Sequence, residues 1–213
     1  MLKVIETDNG GHYYMHGDRR IPGVSEILEL SGMYDSGGAS EAVLENAARR
    51  GKELHLAAQD LDRGSADWWS EDAELRGYMD GYQLFKSDFG FKPELIEEPM
   101  SDTVSWYAGQ LDRTGTILAH DRRLDLVTLD LKFTCAMPDH VGVQLAAYNG
   151  FFHDDKPRQR VAVRPKKNGK YEVQWCDEIA SGYHDTCVWL ACLAVAKWKD
   201  KKKGLGLWLP AKA

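Results

Sequence analysis

The sequence predicts a mixed α/β protein in which a central β-sheet is flanked by helices. Apolar residues recur with the 3.6-residue period of a helix through much of residues 44–88, and the period changes to that of strands from about residue 92. Another helix, a hairpin and a long closing helix follow, and this succession is typical of a sheet packed against helices. Because the 213 residues contain no repeat or low-complexity linker, we expect residues 1–213 to form one domain.

The composition is that of an ordinary globular protein, with 43% hydrophobic and 28% charged residues. No apolar run approaches the ~20 residues that span a bilayer, and residues 1–6 are unlike a signal peptide. We therefore expect no membrane partner and a cytoplasmic location. The net charge of −6 argues at first against a nucleic-acid ligand. However, carboxylates that hold a metal ion lower the net charge without repelling DNA, because the ion cancels them.

The first half of the chain is predicted to be mainly helical. A small hairpin is expected over residues 2–16 and a short helix from about residue 21. Two amphipathic helices follow over residues 44–61 and 70–88. His55 falls on the apolar face of the first of these, one turn after Gly51, where a satisfied core histidine and a ligand are both consistent with the pattern.

Two predicted strands carry the residues best suited to chemistry. Gly109 suggests a bulge or a close backbone approach, and Asp112 follows it, either as a ligand or as a turn aspartate. The strand over residues 124–133 places Asp130 and Lys132 on one face, where a buried pair would have to meet a partner or a ligand and an exposed pair would not. Two aspartates on neighbouring strands can hold a hard divalent cation through oxygen.

The last third combines a helix, a hairpin and a closing helix. The helix runs from Pro138 to about residue 152 and carries Gln144 and Tyr148 four residues apart on one stripe. The hairpin spans about residues 160–174. The closing helix is predicted over residues 177–199, and its expected buried stripe consists of Ile179, Tyr183, Cys187, Leu190, Ala194 and Trp198.

Four short motifs follow one another along the chain: Gly51-x-x-x-His55, Gly109-x-x-Asp112, Asp130-x-Lys132 and Gln144-x-x-x-Tyr148. Their order and chemistry resemble the RecB-type branch of the PD-(D/E)XK nuclease superfamily. Residues 21–28 and 96–99 are similar to two further segments of the phage-encoded and mitochondrial exonucleases of that branch. The resemblance covers residues 21–150, and it departs from the usual pattern at Gly23 and at Phe133.

The resemblance implies a PD-(D/E)XK nuclease-like core and a DNA exonuclease that depends on a divalent metal. Its substrate would be single- or double-stranded DNA ends, in recombination or end processing, with a recombination or annealing protein as a partner. An endonuclease on the same core and a non-catalytic DNA-binding module are the alternatives. An interaction protein in which the motifs are accidental is disfavoured by their order.

The resemblance also implies a ligand set for Mg2+ or Mn2+. Asp112 and Asp130 would bind the ion, joined by the backbone carbonyl of Leu131 and by Nε2 of His55. Glu97 is a weaker candidate that would act through water on a second ion. Because imidazole suits Mn2+ better than Mg2+, we expect a preference for Mn2+ in vitro.

Lys132 would orient or deprotonate the attacking water, with its pKa lowered by the nearby ion. Gln144 and Tyr148 would hold the nucleotide or this lysine from the neighbouring helix. Some RecB-type nucleases carry an iron–sulfur cluster, but the four cysteines here are widely spaced, so we expect no cluster and interpret Cys187 and Cys192 as core thiols.

Basic residues predict two kinds of DNA contact. Arg49 and Arg50 could meet the terminal phosphate, although a solvated helix face explains them equally well. Arg160 and Arg164 alternate onto one face of the late hairpin, where we expect them to lead a DNA strand into the site. The lysines between residues 197 and 203 are the alternative set, since cations at a helix C-terminus also favour the helix dipole.

Overall fold

The structure is a computed structural model that describes residues 1–7, 11–34, 41–65, 72–118, 124–176 and 179–208, without the side chains of residues 41, 44 and 179–183. The sequence also predicts a turn around His120 and Asp121, and these residues lie outside the part of the chain that the structure describes. Among the described residues, none of the helices combines the length and the apolar character needed to cross a membrane.

The chain begins with a small antiparallel sheet and a short helix. Strands β1 (Leu2–Glu6), β2 (His12–His16) and β3 (Arg19–Ile21) pair in sequence order, which confirms the predicted hairpin and adds a third strand to it. Helix α1 (Val24–Ser31) follows at once. It ends at Gly32, whose φ of 92° is the left-handed conformation that closes many helices.

Two long helices come next, α2 (Glu41–Asp62) and α3 (Ala73–Phe89). Asp72 caps α3, because its carboxylate accepts hydrogen bonds from the N–H groups of Glu74 and Leu75. Gly90 ends α3 in the left-handed conformation. The apolar stripes of α2 and α3 meet in one buried cluster.

The central sheet has five strands in the order of the chain. They are β4 (Lys92–Asp102), β5 (Tyr107–Leu118), β6 (Leu124–Leu131), β7 (Gln159–Pro165) and β8 (Tyr171–Trp175). Only the β6–β7 pair is parallel, and α4 (Val141–Asn149) lies in the connection between these two strands. The remaining neighbours in this sheet are antiparallel. The predicted fold class is therefore confirmed: a mixed sheet flanked by helices.

Helices cover both faces of this sheet. The α2–α3 side forms one apolar cluster with Val127, Leu129 and Leu131 of β6. A second cluster joins α1, α4 and the last helix, α5 (Ile179–Lys203), to the start of β5. Since β6 lies between the two layers, both of its faces are buried, including the face that carries Asp130.

The orientation predicted for α5 is wrong. Its buried apolar residues, among the side chains described, are Trp189, Cys192, Leu193 and Ala196, which pack against α1 and α4. The side chains of Ile179 and Tyr183 of the predicted stripe lie outside the described part of the structure. Within the predicted stripe, Leu190 is 55% exposed and Trp198 is 60% exposed. Cys187 is exposed as well, so only Cys192 of the expected pair is a core thiol. Helix α5 carries apolar residues on both of its faces, so the hydrophobic period of its sequence could not show which face is buried.

Candidate metal centre

Strands β5 and β6 separate at the point where Asp112 lies across from Asp130. Their ladder of paired residues ends at the pair Arg113–Leu129. Beyond this pair, Oδ2 of Asp112 accepts a hydrogen bond of 2.6 Å from the backbone N–H of Leu131. Asp112 thus lies inside β5 and not in a turn, and its carboxylate is held against the strand that carries Asp130.

Three elements bring potential metal ligands together at this point. His55 on α2, Glu97 on β4 and Asp112 on β5 each offer one ligand atom, and these atoms lie within 4.8 Å of one another. We refer to these three residues as the ligand group. Nδ1 of His55 donates a hydrogen bond of 3.2 Å to Oε1 of Glu97 and lies 3.8 Å from Oδ1 of Asp112. The nitrogen that faces the carboxylates is therefore Nδ1, whereas the resemblance implies Nε2 as the ligand atom, which stays a prediction.

Glu97 has an unusual backbone conformation. Its φ is 52°, in the left-handed region that residues other than glycine seldom adopt. The carboxylate accepts hydrogen bonds from Nη1 of Arg113 at 2.6 Å and from Nε2 of Gln110 at 3.1 Å. Strain of this kind is concentrated at functional sites. Glu97 thus lies within the group of His55, Glu97 and Asp112 that could hold an ion, and its expected role through water on a second ion stays a prediction.

Behind Glu97 lies a buried ionic network that sequence reasoning missed. The fully buried side chain of Arg113 donates from Nε to Oδ2 of Asp62 at 2.6 Å and from Nη1 to Glu97. Asp62 also accepts hydrogen bonds from Tyr82 and Lys86. Because these residues stand on α2, α3, β4 and β5, the network ties together the three elements that carry the ligand group. The spacing of these residues in the sequence does not predict that they form a network.

Four predicted site residues form a chain of contacts beside the ligand group. Nζ of Lys132 lies 2.8 Å from Oδ2 of Asp130 and donates a hydrogen bond of 2.8 Å to Oε1 of Gln144. Nε2 of Gln144 in turn donates to the hydroxyl of Tyr148 at 2.9 Å. Asp130 is only 1% exposed. The pair is therefore buried, and the alternative of a solvated sheet face is wrong.

Gly109 makes room for the end of this chain. A Cβ atom at Gly109 would lie 2.9 Å from Cε1 of Tyr148 and 3.2 Å from Cγ2 of Val24. The close approach predicted at this glycine is thus confirmed. By contrast, a Cβ atom at Gly51 would meet no described atom within 4 Å, so packing does not explain that glycine.

Burial and the closeness of several carboxylates shift the pKa values of all three residues of the ligand group. Burial raises the pKa of Asp112 to about 7, and the nearby charges of Asp130 and Glu97 add to this. Burial alone would lower the pKa of His55, but Asp112 and Glu97 outweigh it, so the net shift is upward. Burial raises the pKa of Glu97 less than its contacts with His55 and Arg113 lower it.

The pKa of Lys132 is shifted upward, whereas a lowered pKa is expected for a lysine next to a metal ion. Burial would lower its pKa, but the charges of Asp130 and Asp112 outweigh burial and raise it. Its ammonium form is therefore stabilised by the carboxylates. The predicted lowering of the pKa depends on a cation that neutralises these carboxylates.

The residues present fit a divalent cation. Two ligand atoms bound to one small divalent ion at about 2.1 Å lie roughly 3–4 Å apart, and the His55–Glu97 and His55–Asp112 distances of 3.2 and 3.8 Å agree with this. Oδ2 of Asp130 is buried and lies 2.8 Å from Nζ of Lys132, although this contact lacks good hydrogen-bond geometry. Its role as a further oxygen ligand stays a prediction. The position of the Leu131 carbonyl as a ligand stays a prediction.

A cavity of about 620 Å³ opens beside the ligand group. Its lining includes His55, Glu97, Asp112 and Tyr148 together with residues of β1 and β2. The small N-terminal sheet and the candidate metal centre therefore border the same cavity. This volume is in the usual range for a ligand site.

The hairpin arginines do not form the predicted phosphate track. Arg160 is 3% exposed, and its guanidinium donates hydrogen bonds to the backbone carbonyls of Gly142 and Cys176. Arg164 donates to the carbonyl of Cys135 at 2.7 Å and to Glu172. Alternation placed both arginines on one face, where Arg160 is enclosed by α4 and Cys176, whereas Arg164 is partly exposed and is held by Cys135 and Glu172.

Arg49 and Arg50 lie on α2 near the cavity but do not line it. Arg49 is paired with Glu53 at 2.8 Å, and Arg50 is paired with Asp72 at 2.8 Å and with Glu53. Both side chains retain exposed surface, and contact with a terminal phosphate stays a prediction.

The fold and the site together define a mixed α/β protein with a possible acidic metal centre. No family model matches the chain, and no curated protein matches it. Among solved structures, the chain is similar to LHK-Exo, crystallised in complex with dAMP, with 15% sequence identity over 87% of this chain and 94% of that chain. The TM-score is 0.28. Both values are low, so the function has to be argued from this chain's own residues.

Proposed function

We propose that this protein is a divalent-metal-dependent DNA nuclease, and specifically an exonuclease that hydrolyses phosphodiester bonds from DNA ends. The observation that carries the proposal is the convergence of His55, Glu97 and Asp112 within 4.8 Å, beside the buried pair of Asp130 and Lys132. The motif order that resembles the RecB-type nucleases supports the same assignment. End processing in recombination, with an annealing or recombination protein as a partner, is the role proposed on that resemblance.

The side chains have separable tasks in this proposal. His55, Glu97, Asp112 and Asp130 would hold Mn2+ or Mg2+, which when bound supplies charge neutralisation for the phosphate and a more acidic water. Lys132 orients the attacking water from the position just after β6, the strand that carries Asp130. Gln144 and Tyr148 fix the ammonium of Lys132 through their hydrogen bonds, so the lysine keeps one position as the carboxylates take up an ion.

The experiment is digestion of linear DNA labelled at the 5′ or the 3′ end, beside closed circular DNA, with Mn2+ or Mg2+ and with EDTA. We expect cleavage of linear DNA only, loss of cleavage in EDTA, and loss of most activity in Asp112→Ala. Equal cleavage of the circular DNA would instead indicate an endonuclease on the same core. DNA binding without cleavage by any metal-loaded sample would indicate a binding module and contradict the proposal.

A further inference from the structure

Helix α5 carries apolar side chains on two opposite sides, and contacts among the described residues account for one of them. Trp189, Cys192, Leu193 and Ala196 face α1 and α4. The opposite side is exposed, and we refer to its six residues as the outer stripe: Cys187, Leu190, Ala191, Ala194, Val195 and Trp198. A helix that is apolar on all sides is ordinarily buried on all sides. The outer stripe is therefore a surface that a partner would cover.

The outer stripe has the spacing of a contact between two helices. Cys187, Ala191, Ala194 and Trp198 follow one another at intervals of four, three and four residues, which is the spacing of the seam between two packed helices. The two alanines lie at the middle of the stripe. Because the distance between packed helices depends on the side chains at their contact, small residues there let a second helix approach closely.

The charges of α5 favour a second copy of the same chain as the partner. In the sequence, Asp177 and Glu178 directly precede the helix, and five lysines lie between residues 197 and 203 at its end. Two such helices packed antiparallel bring the acidic end of each copy to the basic end of the other, and the helix dipoles then also oppose each other. Parallel packing would bring like charges together. A surface that is its own complement in this way fits the interface of a two-fold dimer.

We propose that the outer stripe is the interface of a homodimer in which two α5 helices pack antiparallel and cross near Ala191 and Ala194. A helix pair three turns long buries on the order of 1,000 Å² in total, at the lower limit of specific interfaces, so its Kd is roughly 1–100 µM. The dimer forms whether or not the protein is a nuclease, so the failure of one proposal leaves the other intact.

The test is sedimentation equilibrium of the full chain from about 1 to 300 µM, a range that brackets this Kd. The interface variants are Leu190→Glu and Ala194→Glu. Leu84→Glu is the matched control, because Leu84 is an exposed leucine on α3. Lys201→Glu combined with Lys202→Glu tests the charges. The melting temperature of each variant reports whether it is folded.

We expect the unmodified protein and Leu84→Glu to show the same equilibrium between monomer and dimer. Leu190→Glu and Ala194→Glu should raise the Kd by at least about 10-fold, because a two-fold interface would bury each new carboxylate twice without a partner. The double lysine variant should raise the Kd by about 3-fold or more, and added salt should weaken the unmodified dimer, because the end-to-end attraction is lost or screened.

Cysteine cross-linking tests the direction of the two helices. In an antiparallel pair that crosses near Ala194, Cys187 lies roughly 15–20 Å from its own copy, whereas position 194 lies beside its copy. We expect Ala194→Cys, made together with Cys135→Ser and Cys187→Ser, to form a disulfide-linked dimer under mild oxidation. Cys135→Ser alone, which keeps the exposed Cys187, should not.

A monomer at every concentration would overturn the inference. It would also be overturned if Leu190→Glu and Ala194→Glu dimerised as well as the unmodified protein, or if Leu84→Glu lost as much affinity as they do. Cross-linking through Cys187 or an unchanged Kd in the double lysine variant would contradict the antiparallel arrangement.

Discussion

The residues of the candidate metal centre differ in how well their positions can be predicted from the sequence. Alternation along one strand was enough to place Asp130 and Lys132 together, because a period of two leaves no other arrangement. The contribution of Glu97 could not be read in this way. Its place in the ligand group depends on a left-handed backbone and on a hydrogen bond from Arg113, and neither has a local signal in the sequence.

Lys132 provides the most specific prediction at this scale. In Lys132→Ala the carboxylates remain, so DNA and metal should still bind, while turnover should fall by about 10²–10⁴, the usual range for a lost proton-transfer group. Single-turnover cleavage and oligonucleotide binding measure the two effects separately. Lys92→Ala, which removes an exposed lysine at the start of β4, is the control. Cleavage by Lys132→Ala at nearly the rate of the unmodified protein would reduce Lys132 to a counter-ion for Asp130.

At the scale of elements, the centre depends on how α2, β4 and β5 are fixed to one another. The side chain of Arg113 joins Asp62 of α2 to Glu97 of β4, and Arg113 itself follows Asp112 on β5. A buried ion pair of this kind is costly to break on one side, because Asp62 and Glu97 would stay buried without the cation that they share.

We therefore expect Arg113→Met to lower the free energy of unfolding by about 3–5 kcal/mol. Urea denaturation followed by circular dichroism measures this. The exposed Arg63→Ala should change it by less than about 0.5 kcal/mol. If Arg113→Met and Arg63→Ala proved equally stable, the network would not be what holds these elements together.

The packing of β5 against α4 gives a paired prediction on two glycines. Gly109→Ala would press a Cβ atom on Tyr148 and displace the Tyr148–Gln144–Lys132 chain, so turnover should fall by about 10-fold or more. Gly51→Ala meets no described atom and should keep turnover while stabilising α2 by up to about 1 kcal/mol. Cleavage rates and thermal melting of the two variants check this. Similar turnover in both would show that Tyr148 need not be held in place.

Element-scale expectations failed where burial is decided by tertiary contacts. Arg160 and Arg164 were correctly placed on one strand face, but β7 is an inner strand, and α4 covers its face at Arg160, which makes that guanidinium internal. In α5 both sides are apolar, and packing against α1 selected the side that carries Trp189 and Leu193. Hydrophobic period predicts the type of element, but it does not predict which face the neighbours cover.

At the scale of the whole molecule, the small N-terminal sheet and the central sheet meet over the acidic centre. The order of the elements and the sheet class could be predicted, since each element has a strong period or a clear stop. The approach of β1 and β2 to the cavity could not, because it depends on contacts between segments far apart in the sequence.

Metal binding should be visible in the stability of the whole protein. An ion that neutralises the crowded carboxylates binds only the folded chain and stabilises it by about 2.7 kcal/mol at a concentration of 100 times Kd. For a chain of this size this corresponds to a rise in Tm of roughly 5–11 °C. Scanning calorimetry with and without Mn2+ measures it, and His55→Ala should lose most of the rise. An equal rise in His55→Ala would place the ion elsewhere.

The central claim is that Glu97 and Asp112 hold a divalent ion together with His55. Titration of Mn2+ into the protein by isothermal calorimetry tests it most directly, with the isosteric variants Glu97→Gln and Asp112→Asn. Glu98→Gln is the matched control, because Glu98 is the exposed neighbour of Glu97 on the same strand. We predict that Glu97→Gln and Asp112→Asn weaken Mn2+ binding by at least about 10-fold and that Glu98→Gln leaves it unchanged. Equal Mn2+ affinity in all four proteins would contradict the claim.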